Sequence, residues 1–157
     1  MFSRFLFLLL LCHGLQVCAV QAQTNLALNK PITASAALIA GYPVTNVVDG
    51  NPATFTHPNA SSGNAGFYYQ IDLGATYTLS SIVLRNRANC CPERLSNDSV
   101  RVFADANGVP GAQNWIATLR ADGSNSGMGG VDTMIASADP AGTFAGRFIR
   151  VVNLSGA

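Results

Sequence analysis

Thr78-Leu79-Ser80-Ser81-Ile82-Val83-Leu84-Arg85-Asn86-Arg87-Ala88-Asn89-Cys90-Cys91-Pro92-Glu93-Arg94 contains both the pattern that builds this chain and the one stretch with distinctive chemistry. Its first half, 78–86, is rich in β-branched and apolar residues and reads as a strand. Its second half changes character at Asn86, where Asn, Pro and two adjacent cysteines replace the apolar run, as in a loop. Arg87 and Arg94 stand seven positions apart with Cys90 and Cys91 between them. The sequence thus predicts a preformed ligand-binding loop at a strand end, held still by the rest of the chain.

Outward from this stretch, the same grammar repeats. Runs at 66–73, 100–104, 114–119 and 147–153 read as further strands, separated by Gly, Pro, Asn and Asp clusters. No run of ten or more residues after the N-terminus has clean helical periodicity, so the pattern predicts an all-β sandwich or barrel. Val100, Val102 and Ala104 alternate onto one face, with Arg101 and Phe103 on the other, and Phe103 makes that alternation imperfect. Trp115, Ala117 and Leu119 share the spacing, and Asp105-Ala106-Asn107-Gly108-Val109-Pro110-Gly111 reads as a turn.

Residues 1–22 form a different kind of segment. A short N-terminal stretch with Arg4 precedes a mostly apolar run, and Val20-Gln21-Ala22 offers small residues for cleavage, which is the pattern of a secretory signal peptide. A membrane anchor needs an uninterrupted run of about 20 apolar residues. This one is broken by His13, Gly14 and Gln16. Beyond the leader stand 135 residues, enough for one domain with its own core. They carry eight basic and eight acidic side chains, so the excess of positive charge that a nucleic-acid binder needs is missing. Only Cys90 and Cys91 remain after cleavage. In an oxidising compartment they can pair with each other, pair with another chain, or stay free.

Several stretches together resemble the coagulation-factor type C (discoidin) domains. They are Asn25-Leu26-Ala27-Leu28-Asn29-Lys30-Pro31, Ala40-Gly41-Tyr42-Pro43, Asn46-Val47-Val48-Asp49-Gly50-Asn51, Tyr68-Tyr69-Gln70-Ile71-Asp72-Leu73-Gly74 and Ser81 to Arg87. Within that superfamily, Asn86 to Ser96 resembles the fucolectin (F-type lectin) branch. The resemblance covers 25–156 and implies a galactose-binding jelly-roll β-sandwich over 23–157. Gly146 to Gly156 is similar to the family's penultimate strand. The family's closing strand has no counterpart before Ala157, which points to a piece of a longer protein.

By the same resemblance, Arg87 and Arg94 would grip sugar hydroxyls, and a vicinal Cys90–Cys91 disulfide would offer the ring an apolar shelf. A guanidinium suits this task because it presents a rigid fork of donors and keeps its charge. The alternative is that both arginines pair with carboxylates such as Glu93 or Asp98. Asn89 stands where the family commonly has Asp steadying an arginine; it keeps an acceptor oxygen and loses the charge, which weakens such a bond by roughly half. His57, the lone histidine after the leader, corresponds to a binding histidine of the family. Thirty positions separate it from Arg87, a few more than in the family, and an insertion within 58–66 accounts for the surplus. The alternative is a solvent-exposed loop histidine.

Asn46, Asp49, Asn51 and Thr54 resemble the family's calcium loop, a mixture of oxygens of the kind calcium takes. Without metal the same residues would form an Asx turn at Asp49-Gly50-Asn51. Sequons begin at Asn59, Asn97 and Asn153. No catalytic constellation is present, and Gly127-Met128-Gly129-Gly130 reads as a flexible loop. The resemblance therefore implies a secreted, non-enzymatic module recognising terminal fucose or a related sugar. Its partners would be glycans or glycoproteins, without membrane insertion, as a homo-oligomer or as part of a larger chain. An adhesion module that has lost sugar binding, or an accessory domain of a longer secreted enzyme, are the alternatives.

Overall fold

The computed structural model describes residues 23–59, 65–136 and 144–154. The leader reading at 1–22 and Ser155 of the third sequon lie outside the described residues. Among the described residues seven strands run in chain order: β1 (Ile32–Ala34), β2 (Tyr68–Leu79), β3 (Ser81–Arg85), β4 (Asp98–Ala106), β5 (Val109–Leu119), β6 (Val131–Ile135) and β7 (Phe144–Asn153). Five form an antiparallel sheet in the order β1-β2-β7-β4-β5, and β3 pairs with β6 in a second, two-stranded sheet. The all-β sandwich predicted from alternation is the observed architecture. Among the described residues no helix is long and apolar enough to cross a membrane.

The core lies between the sheets. Ile71 and Leu73 of β2, Val100 and Val102 of β4, Trp115 and Leu119 of β5, and Ile149 of β7 meet Ile82 of β3, with Phe144 stacked 4.2 Å from Trp115. Every second residue of a strand points to the same side, so the partners in between, such as Arg101 and Arg150, face outward. Phe103 belongs to that outward set, so its break in the alternation is resolved by use on the outer face. Gly146 of β7 allows a close approach of β4: a Cβ there would lie 2.5 Å from the Phe103 carbonyl oxygen.

Three expectations need correction. The single strand at 78–86 is two, because Leu79 and Ile82 are both buried three residues apart. A period of two cannot put both inward, so the chain turns at Ser80 and passes from one sheet to the other. Asn86 falls outside β3 and belongs to the loop. The turn at 105–111 is tighter than predicted: Asn107 and Gly108, both at positive φ, make a two-residue hairpin. Val109, Pro110 and Gly111 already belong to β5. Pro110 is tolerated because β5 is the sheet's edge and the register with β4 is irregular there. The short strands β1 and β6 went unpredicted.

Candidate functional site

Asn86 starts the loop and closes it. It is buried; its Nδ2–H donates to the Pro92 carbonyl at 2.7 Å, its Oδ1 accepts from the Arg87 amide, and its own amide donates to the Gly130 carbonyl at 2.8 Å. The side chain of Asn86 thus ties both ends of the turn together, and its backbone amide fastens them to the segment before β6. Gly129 adds its amide to the Arg87 carbonyl at 2.8 Å. Gly130 must lack a side chain, since a Cβ would lie 1.8 Å from the Ser126 carbonyl oxygen. The stretch 127–130, read as a loop, is one, and the backbone of Gly129 and Gly130 holds Asn86 and Arg87.

Cys90 and Cys91 are joined in a vicinal disulfide with Cα atoms 3.8 Å apart. Cys91 adopts the left-handed conformation, φ 57°, which a residue other than glycine takes up at some cost. Pro92 then opens a short 3-10 turn, Pro92–Leu95, that delivers Arg94. The fixed φ of proline suits that first position. Disulfide and turn lie between Arg87 and Arg94 along the chain.

The second half of the site comes from far upstream. The segment after the Asp49 loop is anchored along residues 37–42: the Ile39 amide donates to the His57 carbonyl, Leu38 bridges Pro58, and the Asn59 amide donates to the Ala37 carbonyl. This brings His57 to the loop. Arg94 Nη1 lies 2.8 Å from His57 Nε2, and His57 Nδ1 lies 2.6 Å from the Pro58 carbonyl oxygen. A carbonyl can only accept, so Nδ1 carries the proton, and Nε2 accepts from Arg94. Among the described residues His57 is not a free surface histidine.

Arg87 is held on two sides. Its Nε–H donates to Asn89 Oδ1 at 2.8 Å, and its guanidinium lies 4.0 Å from the centre of the Phe55 ring. Phe55 in turn packs on Tyr42 at 4.8 Å, and Tyr42 also meets His57 at 5.9 Å. Among the described residues the ion pairs belong to Arg120 and Arg147; neither Arg87 nor Arg94 meets a carboxylate. The alternative in which Glu93 or Asp98 neutralises them does not hold there.

Tyr42 and Phe55 are the residues that sequence reasoning missed as site members. The available signal was spacing: Phe55 and His57 stand two apart in a non-helical segment, so both can turn to one side.

Asn46, Asp49, Asn51 and Thr54 form one small loop with its own hydrogen bonds. Asp49 Oδ1 accepts from the Asn51 amide at 2.8 Å, and Asn46 Nδ2–H donates to the Phe55 carbonyl at 2.8 Å. Thr54 Oγ1 lies 2.6 Å from Asp49 Oδ2 and 2.8 Å from the Asn51 carbonyl oxygen. Three oxygens therefore crowd around one hydroxyl proton. The Asp49–Asn51 bond is the Asx turn expected without metal, and the Asp49, Asn51 and Thr54 oxygens gathered there are of the hard type that calcium takes. The Thr54 hydroxyl, then the Asn51 amide, hold the Asp49 carboxyl below its ordinary range.

Behind the site lies Asp98, 3 % exposed, with an oxygen that has no hydrogen-bond partner among the described residues. Burial pushes its carboxyl up to about 7. Its charge acts on Tyr69, whose phenol is raised first by burial and hydrogen-bonds with Thr56, next to His57.

Residues 46–150 match the NedA-like, galactose-binding domain of the F5/F8 type C family. The chain is 34% identical over 87 residues to the fucolectin of Anguilla anguilla, covering 51% of this chain and 55% of that protein. It spans about half the length of the fucolectins it matches. In fold it is similar to the fucose binding module SpX-3 of Streptococcus pneumoniae, with a TM-score of 0.66 and 20% identity over 85% of this chain and 89% of that one. It is also similar to the lectin domain of Lectinolysin, solved with Lewis B antigen, with a TM-score of 0.65, 21% identity, and 85% and 87% coverage.

Proposed function

Since the chain belongs to the F5/F8 type C family of NedA-like galactose-binding domains, we propose that it is a secreted, non-enzymatic lectin module that binds terminal fucose or a related sugar. The ligand sits between Arg87 and Arg94, over the Cys90–Cys91 disulfide. The observation that carries this reading is the pairing of Arg94 with His57 at 2.8 Å, together with an Arg87 that no carboxylate neutralises among the described residues. Adjacent sugar hydroxyls would accept from the free nitrogens of both guanidinium groups. A hydroxyl that displaces the Arg94 donor would itself donate to His57 Nε2. The apolar edge of a deoxy sugar would cover the disulfide and gain about 25 cal/mol per Å² removed from water. Glycan-array screening followed by calorimetric titration with L-fucose, calcium present, tests the reading. A folded domain that answers to no deoxy sugar overturns it.

The same reading includes a calcium ion held by Asn46, Asp49, Asn51 and Thr54. Its support is the oxygen cluster around Thr54, and its part is structural: through Asn46 the loop carries Phe55 and so the floor beneath Arg87. Added calcium is expected to raise the thermal midpoint of the wild type and leave that of Asp49→Ala unchanged. An identical response in both would contradict the assignment.

Asn89 favours a second reading, an adhesion module that no longer binds sugar, because it offers Arg87 a neutral acceptor. On that reading Arg87→Ala leaves partner binding intact, and a large loss of binding rules it out.

A further inference from the structure

The outward face of the five-stranded sheet carries a second pair of arginines, on a different surface from the loop. Arg101 of β4 and Arg150 of β7 are direct cross-strand partners, and Gln70 of β2 and Ile116 of β5 extend the row on either side. Side chains at such positions are neighbours, and like charges placed there repel. Among the described residues neither guanidinium meets a carboxylate, and the two acidic side chains Asp72 and Asp105 are both taken by Arg147.

What holds the pair is neutral, and it holds each side chain by one nitrogen. Arg150 Nε–H donates to Gln70 Oε1 at 2.7 Å, while its guanidinium lies 4.5 Å from the Tyr68 ring centre and 4.9 Å from that of Phe103. Arg101 Nε–H donates to Ser99 Oγ at 3.0 Å. Both are half-buried, so neither swings freely in water. In each, Nε is fixed and the two terminal nitrogens have no partner among the described residues. Two like-charged forks at paired positions on adjacent strands, each anchored at Nε by a neutral acceptor, are a pair that an oxyanion bound between them would stabilise.

We infer that the Arg101–Arg150 row is a second ligand site, taking the carboxylate or sulfate group of an acidic sugar. The rest of the row decides the ligand class. Tyr68 and Thr118 lie in the neighbouring register positions and add hydroxyl groups, with the Gln70 amide beside them. This suits a single oxyanion on a hydroxyl-rich molecule. A polyanion such as nucleic acid, or an anionic membrane, would need a broad basic surface. The chain beyond its leader has equal numbers of acidic and basic residues.

The site stands independently of the loop reading and is tested separately. A sulfated disaccharide, a glucuronate-bearing disaccharide and a neutral parent disaccharide are titrated into the protein at physiological salt. Binding of an acidic probe but not the neutral one is expected. Arg101→Gln and Arg150→Gln should each weaken it about tenfold or more, as for a lost charge-assisted bond. Lys30→Gln, which removes the same charge elsewhere, should leave it unchanged. Arg150→Lys keeps the charge without the fork, and is expected to weaken binding as Arg150→Gln does. Full affinity in Arg150→Lys, an equal loss in Lys30→Gln, or no binding of either acidic probe to the folded wild type overturns the proposal. So does binding to phosphatidylserine vesicles without binding to the acidic sugars.

Discussion

Arg147 and Arg87 carry the same group in opposite settings. Arg147 donates from Nε and Nη2 to the two oxygens of Asp72, and from Nη1 to Asp105, which binds β7 to β2 and to the β4 end. Among the described residues the Arg87 guanidinium has only the neutral Asn89 oxygen at one edge and the Phe55 ring on its face. The carboxylates show the same contrast: Asp72 is bracketed by Arg147, whereas Asp98 is buried without a partner for one of its oxygens. Where charges are matched, they hold the sandwich together. Where an arginine is left unmatched yet clamped by neutral groups, it remains available to something else.

The two aspartates give the largest test of this contrast, because their linkage to pH has opposite signs. Asp98 has a folded value of about 7 against an ordinary 3.8, so its proton favours the folded state. Its contribution is complete below about pH 4 and is lost as pH rises through 7, up to about 4 kcal/mol in all. Asp72 is held low, first by its bonds with Arg147, so its contribution is present above its ordinary value and is lost as pH falls. Urea unfolding from pH 4 to 8 should show stability falling toward the alkaline end in the wild type and a flatter profile in Asp98→Asn. An unchanged slope in that variant would place the titration elsewhere.

Arginine substitutions come next in size. Arg87→Ala and Arg94→Ala are expected to weaken fucose binding by about ten- to a hundredfold, the range of lost charge-assisted bonds, with the thermal midpoint unmoved. Arg147→Ala is expected to do the reverse, lowering the midpoint by a few degrees and leaving affinity alone. Calorimetry and thermal unfolding on the three variants would show whether the roles separate. Removing the ring beneath Arg87 is a smaller change. Phe55→Leu should reduce affinity about two- to fivefold, the worth of an exposed cation–π contact, and equal affinities would mean that the ring only fills space. The smallest effect is expected from Asn89→Asp, which restores a charged acceptor and should tighten binding a few-fold. A loss of affinity in that variant would mean that a negative charge at 89 occupies Arg87 instead of steadying it.

The residues that could be read from the sequence are those whose chemistry is contiguous. Arg87, Cys90, Cys91 and Arg94 lie in one short loop, and the strands around them follow from a period of two. What the linear pattern hid depends on distant pairing. Phe55 and His57 reach Arg87 and Arg94 only because 54–59 runs along 37–42, and no local periodicity records that. β6 escaped notice because Asp132 faces inward from a strand otherwise rich in Val, Thr and Ile. It is accommodated there by Arg120, whose Nη2 lies 2.7 Å away. β1 is three residues long, too short for an alternation to show. The corner at Ser80 carries neither glycine nor proline, so only the burial of Leu79 and Ile82 reveals it.

The proposed sugar site requires Arg87 and Arg94 to stay available to a ligand while Arg120 and Arg147 are committed to the scaffold. Side-chain guanidinium NMR during an L-fucose titration, with calcium present, separates the two roles. Saturable shifts of the Arg87 and Arg94 signals, with Arg120 and Arg147 stationary, are the predicted result. Stationary Arg87 and Arg94 signals at saturating fucose, in a protein that remains folded, would contradict it.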